Sequence, residues 1–206
     1  MNDTIKHSNN IFIETLVSKI QSDLFNEKAL PFPKFPLKDQ WSAIVWHEWY
    51  KTIEESQESE EGCDIISPTH FKLLVDTIFE RCGSKHCWLM DTEPFVDNNG
   101  QFLERNFTKL PLNWSAFNSH YKLFEYTPSR FYMADESLTW FVHVDESVLI
   151  AGDQQFMTLF VEKIGGYETV LKNLNNYAGK GANQQTKQWV SNIIQRFESK
   201  HKNANT

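Results

Sequence analysis

The sequence predicts an α+β domain with N-terminal helices, a central antiparallel β-meander and C-terminal helices. Apolar residues recur every three or four positions over residues 10–83 and again over 153–199, as they do on the buried face of a helix. Residues 88–151 alternate with a period of two instead, and connections as short as theirs require antiparallel neighbours. A chain of 206 residues can bury one substantial core, so we expect a single domain over residues 1–206.

Three helices are expected in the N-terminal part. The first follows a stripe of Ile, Leu and Val over residues 10–25. Asp39 is a candidate N-cap for the second, whose apolar stripe runs through residues 41–53. The Ser-Pro pair at residues 67–68 predicts the start of the third helix, and Gly83 predicts its end.

The central region is expected to hold short strands separated by turn-forming residues. These strands cover residues 88–90, 121–126, 130–134, 139–144 and 148–151. Asp153 then predicts the start of a helix that ends at the two glycines 165–166. Two further helices are expected over residues 167–177 and 184–199.

Charge and composition restrict the classes of partner. The net charge is -7, which opposes binding to nucleic-acid phosphates and favours a basic protein partner. No stretch of about 18 uninterrupted apolar residues is present, so we expect no membrane span. The polar N-terminus does not resemble a secretory signal, and the three cysteines are most simply free thiols. We therefore expect a cytoplasmic protein.

An acidic run is the most informative functional feature. Its simpler interpretation is a solvated helix end, which is common. Its functional interpretation is a patch that steers a basic partner, with neighbouring tryptophans as anchors, although those rings also fit a core. The candidate partner-binding residues are Glu54, Glu55, Glu58, Glu60, Glu61, Asp64, Trp46 and Trp49.

A metal site is the alternative hypothesis. His143 and Asp145 alternate onto one strand face, and His120 comes near them if its own strand pairs locally. These residues would serve a metal-dependent hydrolase. Because such sites need three or four converging ligands, a solvated or structural role explains the pair more simply. The sequence contains no phosphate-binding loop, dinucleotide fingerprint or nucleophile elbow, so we expect no cofactor.

The stretch from Trp140 to Phe156 resembles small bacterial immunity proteins. In both, a strand with tryptophan leads to an acidic turn, a short apolar strand that ends in Gly152, and a helix with an early phenylalanine. The resemblance implies a cytoplasmic antitoxin that binds and neutralises a cognate toxin domain, with no catalytic residues of its own. A basic toxin such as a nuclease fits the acidic charge. A regulatory module that binds another protein stays open as a further alternative.

Overall fold

The structure, a computed structural model, describes residues 41–46, 67–91, 98–99, 107–123, 131–135, 137, 139–144, 148–179 and 181–204. These residues form an α+β fold with five helices and one six-stranded antiparallel sheet. The elements in chain order are β1 (Ser42–Val45), α1 (Pro68–Cys82), β2 (His86–Asp91), β3 (Phe107–Pro111), α2 (Trp114–Leu123), β4 (Phe131–Ala134), β5 (Trp140–Val144), β6 (Val148–Gly152), α3 (Gln154–Lys163), α4 (Tyr167–Tyr177) and α5 (Gln184–Ala204).

The strand order of the sheet is β1-β6-β5-β4-β2-β3, with every neighbouring pair antiparallel. The meander predicted for the central region is confirmed for β4, β5 and β6. It does not extend to the other strands, because β2 pairs with β4 and β1 joins the far side of β6. The first and last described elements meet at that edge, since α5 packs on β1 and Arg196 Nε donates to the Trp41 carbonyl at 2.8 Å.

One face of the sheet packs against helices. Phe131 of β4 contacts Phe117 of α2 with 6.0 Å between ring centroids. Trp140 of β5 stacks on Phe156 of α3 at 6.5 Å, and Phe156 stacks on Phe160 at 5.9 Å. Large rings supply much apolar area each, so this layer forms a core from few residues.

The opposite face of β5 is buried as well. Phe141 and His143 alternate away from the helices, and both have almost no exposed surface. Their cross-strand partners on β6, Ala151 and Leu149, are equally buried. The solvated alternative predicted for His143 is therefore wrong, because this half of the sheet is covered on both sides, whereas a structural role fits its burial.

Two predicted elements differ from the structure. The helix predicted from Asp39 to residue 53 is wrong at residues 42–45, which form β1 and pair with β6. A short apolar run fits the period of a helix as well as that of a strand, so the pattern alone does not distinguish them. Here the pairing with the buried strand β6 makes the run a strand. The strand predicted over 121–126 is wrong at residues 121–123, which end α2, and β3 was not predicted. The missed signal for α2 was Asn113, whose Oδ1 accepts from the Ala116 amide at 2.9 Å as an N-cap.

The predicted helix ends are confirmed where capping residues mark them. Ser67 caps α1 and accepts from the His70 amide at 3.4 Å. Gly83 ends that helix with a φ of 67°, in the left-handed region that favours glycine, and its N–H donates to the Phe79 carbonyl at 2.8 Å. Asp153 caps α3. The helix predicted over residues 10–25 lies outside the described residues.

Candidate functional site

The acidic segment, residues 47–66, begins and ends at one place on the fold. Trp46 continues β1 by donating its amide to the Val148 carbonyl at 2.9 Å. Its indole is 2% exposed and packs edge-on against Phe160, with 4.9 Å between centroids. The same indole contacts the His70 ring in the first turn of α1 at 5.3 Å. Ser67, the cap of that helix, is fully buried. The residues on either side of the acidic segment are thus held side by side in the core.

The sequence between these two attachment points is strongly acidic. The acidic segment contains seven Asp or Glu residues and a single Lys. Its two attachment points are in contact through Trp46 and His70. A segment with this excess of carboxylates produces a local negative potential that can attract a basic surface.

The predicted partner-binding residues divide into two groups. Trp46 belongs to the core, so its ring offers almost no surface to a partner and serves instead to attach the acidic segment. The others lie outside the described residues: Trp49, Glu54, Glu55, Glu58, Glu60, Glu61 and Asp64.

The structure does not bring the two candidate histidine ligands, His120 and His143, together. His143 is 3% exposed and stacks on Tyr132 with 4.8 Å between centroids. His120 lies on α2, whose Phe117 packs on the opposite face of the sheet. Burial lowers the pKa of His120, which favours its neutral form. Asp145 lies outside the described residues. Within the described part of the chain, no group of three His, Cys, Asp or Glu side chains converges.

Two buried or half-buried carboxylates already have structural partners. Asp135 is 1% exposed and accepts from the indole Nε1 of Trp140 at 2.8 Å and from the Ser137 amide at 2.8 Å. Asp153 receives two bonds from Arg81, one from Nε at 3.3 Å and one from a terminal nitrogen at 2.6 Å. The hydrogen bond to Asp153 is the main reason that the pKa of Arg81 is raised.

A cleft between α3 and α4 is the second candidate site for a ligand or a partner protein, and we call it the α3–α4 cleft. One stripe of α3 forms its long wall, and the start of α4, Phe197 of α5 and Ser42 of β1 complete it. Its empty volume, counted together with the open solvent at its mouth, is about 410 Å³. The cleft could not be predicted from the sequence, because residues from four separate elements form it and the pattern around Ser42 predicts a helix. Its complete lining is Ser42, Gln154, Met157, Thr158, Val161, Glu162, Gly166, Tyr167 and Phe197.

No protein-family model, curated protein or solved structure matches this chain. Among the described residues, no helix combines the length and apolar character that crossing a membrane requires.

Proposed function

We propose that this protein is a non-enzymatic inhibitor of the immunity type, which binds and neutralises a basic toxin domain through the acidic segment, residues 47–66. The observation that carries the proposal is the contact of Trp46 with His70 beside the buried Ser67, which holds the two attachment points of this acidic segment side by side on a packed core. The proposed place of action is the cytoplasm, where cysteines such as Cys82 and Cys87 stay reduced.

The charge distribution supports the proposal. Seven acidic residues and one lysine give the acidic segment most of the net charge of -7. The described residues form the framework of the fold, and there eleven Lys and Arg residues outnumber eight Asp and Glu residues. A weakly basic framework that carries a strongly acidic segment presents an oriented field, which steers a basic partner toward that segment.

The buried and half-buried carboxylates of the described residues support the proposal as well. Asp135 and Asp153 each bind donors from other elements and thereby hold the fold together. Protein binding needs no reactive group, only a rigid surface with complementary charge and shape. A regulatory module that binds a basic protein would use the same charge complementarity. Identifying the partner distinguishes this alternative from an immunity-type inhibitor.

The test begins with proteins encoded beside this gene in its source genome. Each is expressed alone to find one that arrests growth, and then together with this protein. We expect growth to be restored and a complex to form with the purified toxin domain. Growth arrest that persists for every neighbouring gene product, or turnover of a substrate by this protein alone, contradicts the proposal.

Replacing Glu54, Glu55 and Glu58 by Gln then tests the acidic segment. At low ionic strength we expect association with the toxin domain to slow about tenfold, with a weaker dependence on salt, because steering acts mainly on the association rate. Stopped-flow fluorescence measures both quantities.

The matched control raises the net charge by the same amount elsewhere. It carries the substitutions Asn176→Lys, Gln185→Lys and Gln195→Lys at exposed positions on α4 and α5. This variant should keep most of the wild-type association rate. Equal slowing in both variants means that overall charge, and not the acidic segment, governs association.

A further inference from the structure

We propose that helix α5 is an edge cover: it lies on the outer edge of β1 and prevents β1 from pairing with β1 of a second copy of this protein. The juxtaposition that carries the proposal is an uncharged edge strand beneath a helix that Arg196 fastens to it. The edge cover requires no toxin, so it is independent of the proposed function.

Strand β1 has the composition of a segment that pairs readily with another strand. It lies at one end of the strand order, so β6 is its partner within the described sheet. The six residues from Trp41 to Trp46 include no charged residue, no proline and no glycine, and two of them, Ile44 and Val45, are β-branched. Short uncharged segments of this kind self-associate when their edge is exposed.

The register shows which backbone groups of β1 point away from the sheet. The Trp46 amide donates to the Val148 carbonyl at 2.9 Å, so Trp46 faces β6. Along an antiparallel strand, successive residues face opposite neighbours, and every second residue from Trp46 therefore also faces β6. The residues between them direct their N–H and C=O groups to the outer edge, and these are Trp41, Ala43 and Val45.

Helix α5 occupies this outer edge. Of the described helices it packs most extensively on β1, and its Arg196 donates Nε to the Trp41 carbonyl at 2.8 Å. This bond uses a carbonyl that a further strand would otherwise pair with. Although β1 lies at an edge, Ala43 is 1% exposed and Val45 is 5% exposed. A second strand therefore reaches β1 only after α5 has moved away.

The opposite edge of the sheet is protected by its own sequence. The Leu112 amide donates to the Lys85 carbonyl at 2.9 Å. Alternation from that bond directs the backbones of Lys109 and Pro111, on β3, to the outer edge. Pro111 has no N–H, and Lys109 is exposed and charged, and both features oppose pairing with a further strand. Since β1 contains neither residue type, its protection depends on α5.

Removing the Arg196 bond tests the edge cover in the full-length protein. In Arg196→Ala we expect the fraction of molecules with α5 detached to rise about tenfold, because the hydrogen bond to the Trp41 carbonyl is lost. No described strand follows α5, so its detachment leaves the strand pairs in place. Both copies must open before they pair, and self-association should therefore tighten about a hundredfold. Sedimentation velocity over a series of protein concentrations measures this change.

Arg81→Ala is the matched control. It also removes a half-buried arginine, but its partner is Asp153 and the helices that it joins are α1 and α3. This variant should lose stability without any gain in self-association. If Arg196→Ala does not fold, Arg196→Lys keeps the charge without the guanidinium and permits the same comparison with a smaller effect.

Ala43→Pro identifies the surface through which the copies pair. Its N–H points to the outer edge, so proline removes a donor that a second copy would use and none that β6 uses. Added to Arg196→Ala, it should return self-association to near the wild-type level. Amide exchange followed by nuclear magnetic resonance separates detachment of α5 from loss of β1. In Arg196→Ala the Ala43 amide should exchange about tenfold faster, and the Ile44 amide, which bonds to β6, should change less.

Three results would overturn the inference: no tighter self-association of Arg196→Ala than of the wild-type protein, equal self-association of Arg196→Ala and Arg81→Ala, or unchanged self-association when Ala43→Pro is added. Each is measured on this protein alone. Failure to find a toxin therefore counts against the proposed function and leaves the edge cover intact.

Discussion

At the scale of single residues, Asp135 shows how a charged group is accommodated inside the core. Its carboxylate accepts from Trp140, from the amide and hydroxyl of Ser137, and from the Cys82 thiol at 3.5 Å. These donors come from α1, β5 and the turn between β4 and β5. Hydrogen bonds to a charged acceptor are stronger than neutral ones, so the carboxylate links three parts of the fold.

Replacing Asp135 by Ala should lower the free energy of unfolding by about 3 kcal/mol, because the buried donors of Trp140 and Ser137 lose their acceptor. Urea denaturation followed by tryptophan fluorescence measures the change. Asp76→Ala is the matched control. Asp76 forms a surface ion pair with Lys72, so its loss should cost less than about 1 kcal/mol. Equal losses of unfolding free energy in the two variants would contradict a larger contribution from the buried hydrogen bonds of Asp135 than from a surface ion pair.

At the scale of elements, the junction between β6 and α3 joins two helices as well as ending a strand. Asp153 caps α3 by accepting from the Phe156 amide at 2.8 Å, and its carboxylate also binds Arg81 in the last turn of α1. Further along the same pair of helices, Lys163 contacts Glu80 at 2.8 Å. Gly152 precedes the junction because a side chain there would overlap the ring of Phe156.

Asp153→Ala should therefore cost more than the loss of a helix cap alone. We expect a decrease of about 2–3 kcal/mol in the free energy of unfolding, from the cap and the two-point contact with Arg81 together. Asp153→Asn keeps a capping oxygen and loses the charge, so its effect should be smaller. Thermal and urea denaturation of both variants measure these differences, and an Asn variant as unstable as the Ala variant would contradict the role of the cap.

At the scale of the whole molecule, the sheet is least accessible in the half formed by β1, β6 and β5. The residues of β5 and β6 are buried on both faces, and each of these strands has a neighbour on both sides. Strand β3 lies at one edge and contains the exposed Lys109. Opening of the fold should therefore begin far from β5 and β6.

Hydrogen exchange tests this order. The amides of β5 and β6 should exchange slowest in the protein, and those of β3 about a hundredfold faster or more, because edge pairs open without global unfolding. Mass spectrometry of peptides from each strand gives both rates in one experiment. Equal protection of β3 and β5 would mean that the described sheet opens only as a single unit.

Little of the candidate site could be predicted from the sequence. The sequence shows that residues 47–66 are acidic. It does not show the contact of Trp46 with His70, because that contact requires β1 and α1 to meet. The α3–α4 cleft could not be predicted because two of its lining residues, Ser42 and Phe197, are far apart in sequence. Alternation along β5 predicts which face of the sheet His143 lies on. It does not show whether a second layer of structure covers that face.

The sequence by itself determined the helix boundaries at Ser67, Gly83 and Asp153 and the course of β4, β5 and β6. Caps, glycine turns and short alternating runs act within a few residues, so they need no distant partner. Only the tertiary structure decided that residues 42–45 form a strand and that both faces of β5 are buried. Strand pairing and burial depend on segments that are distant in sequence, and their free energy outweighs local preference.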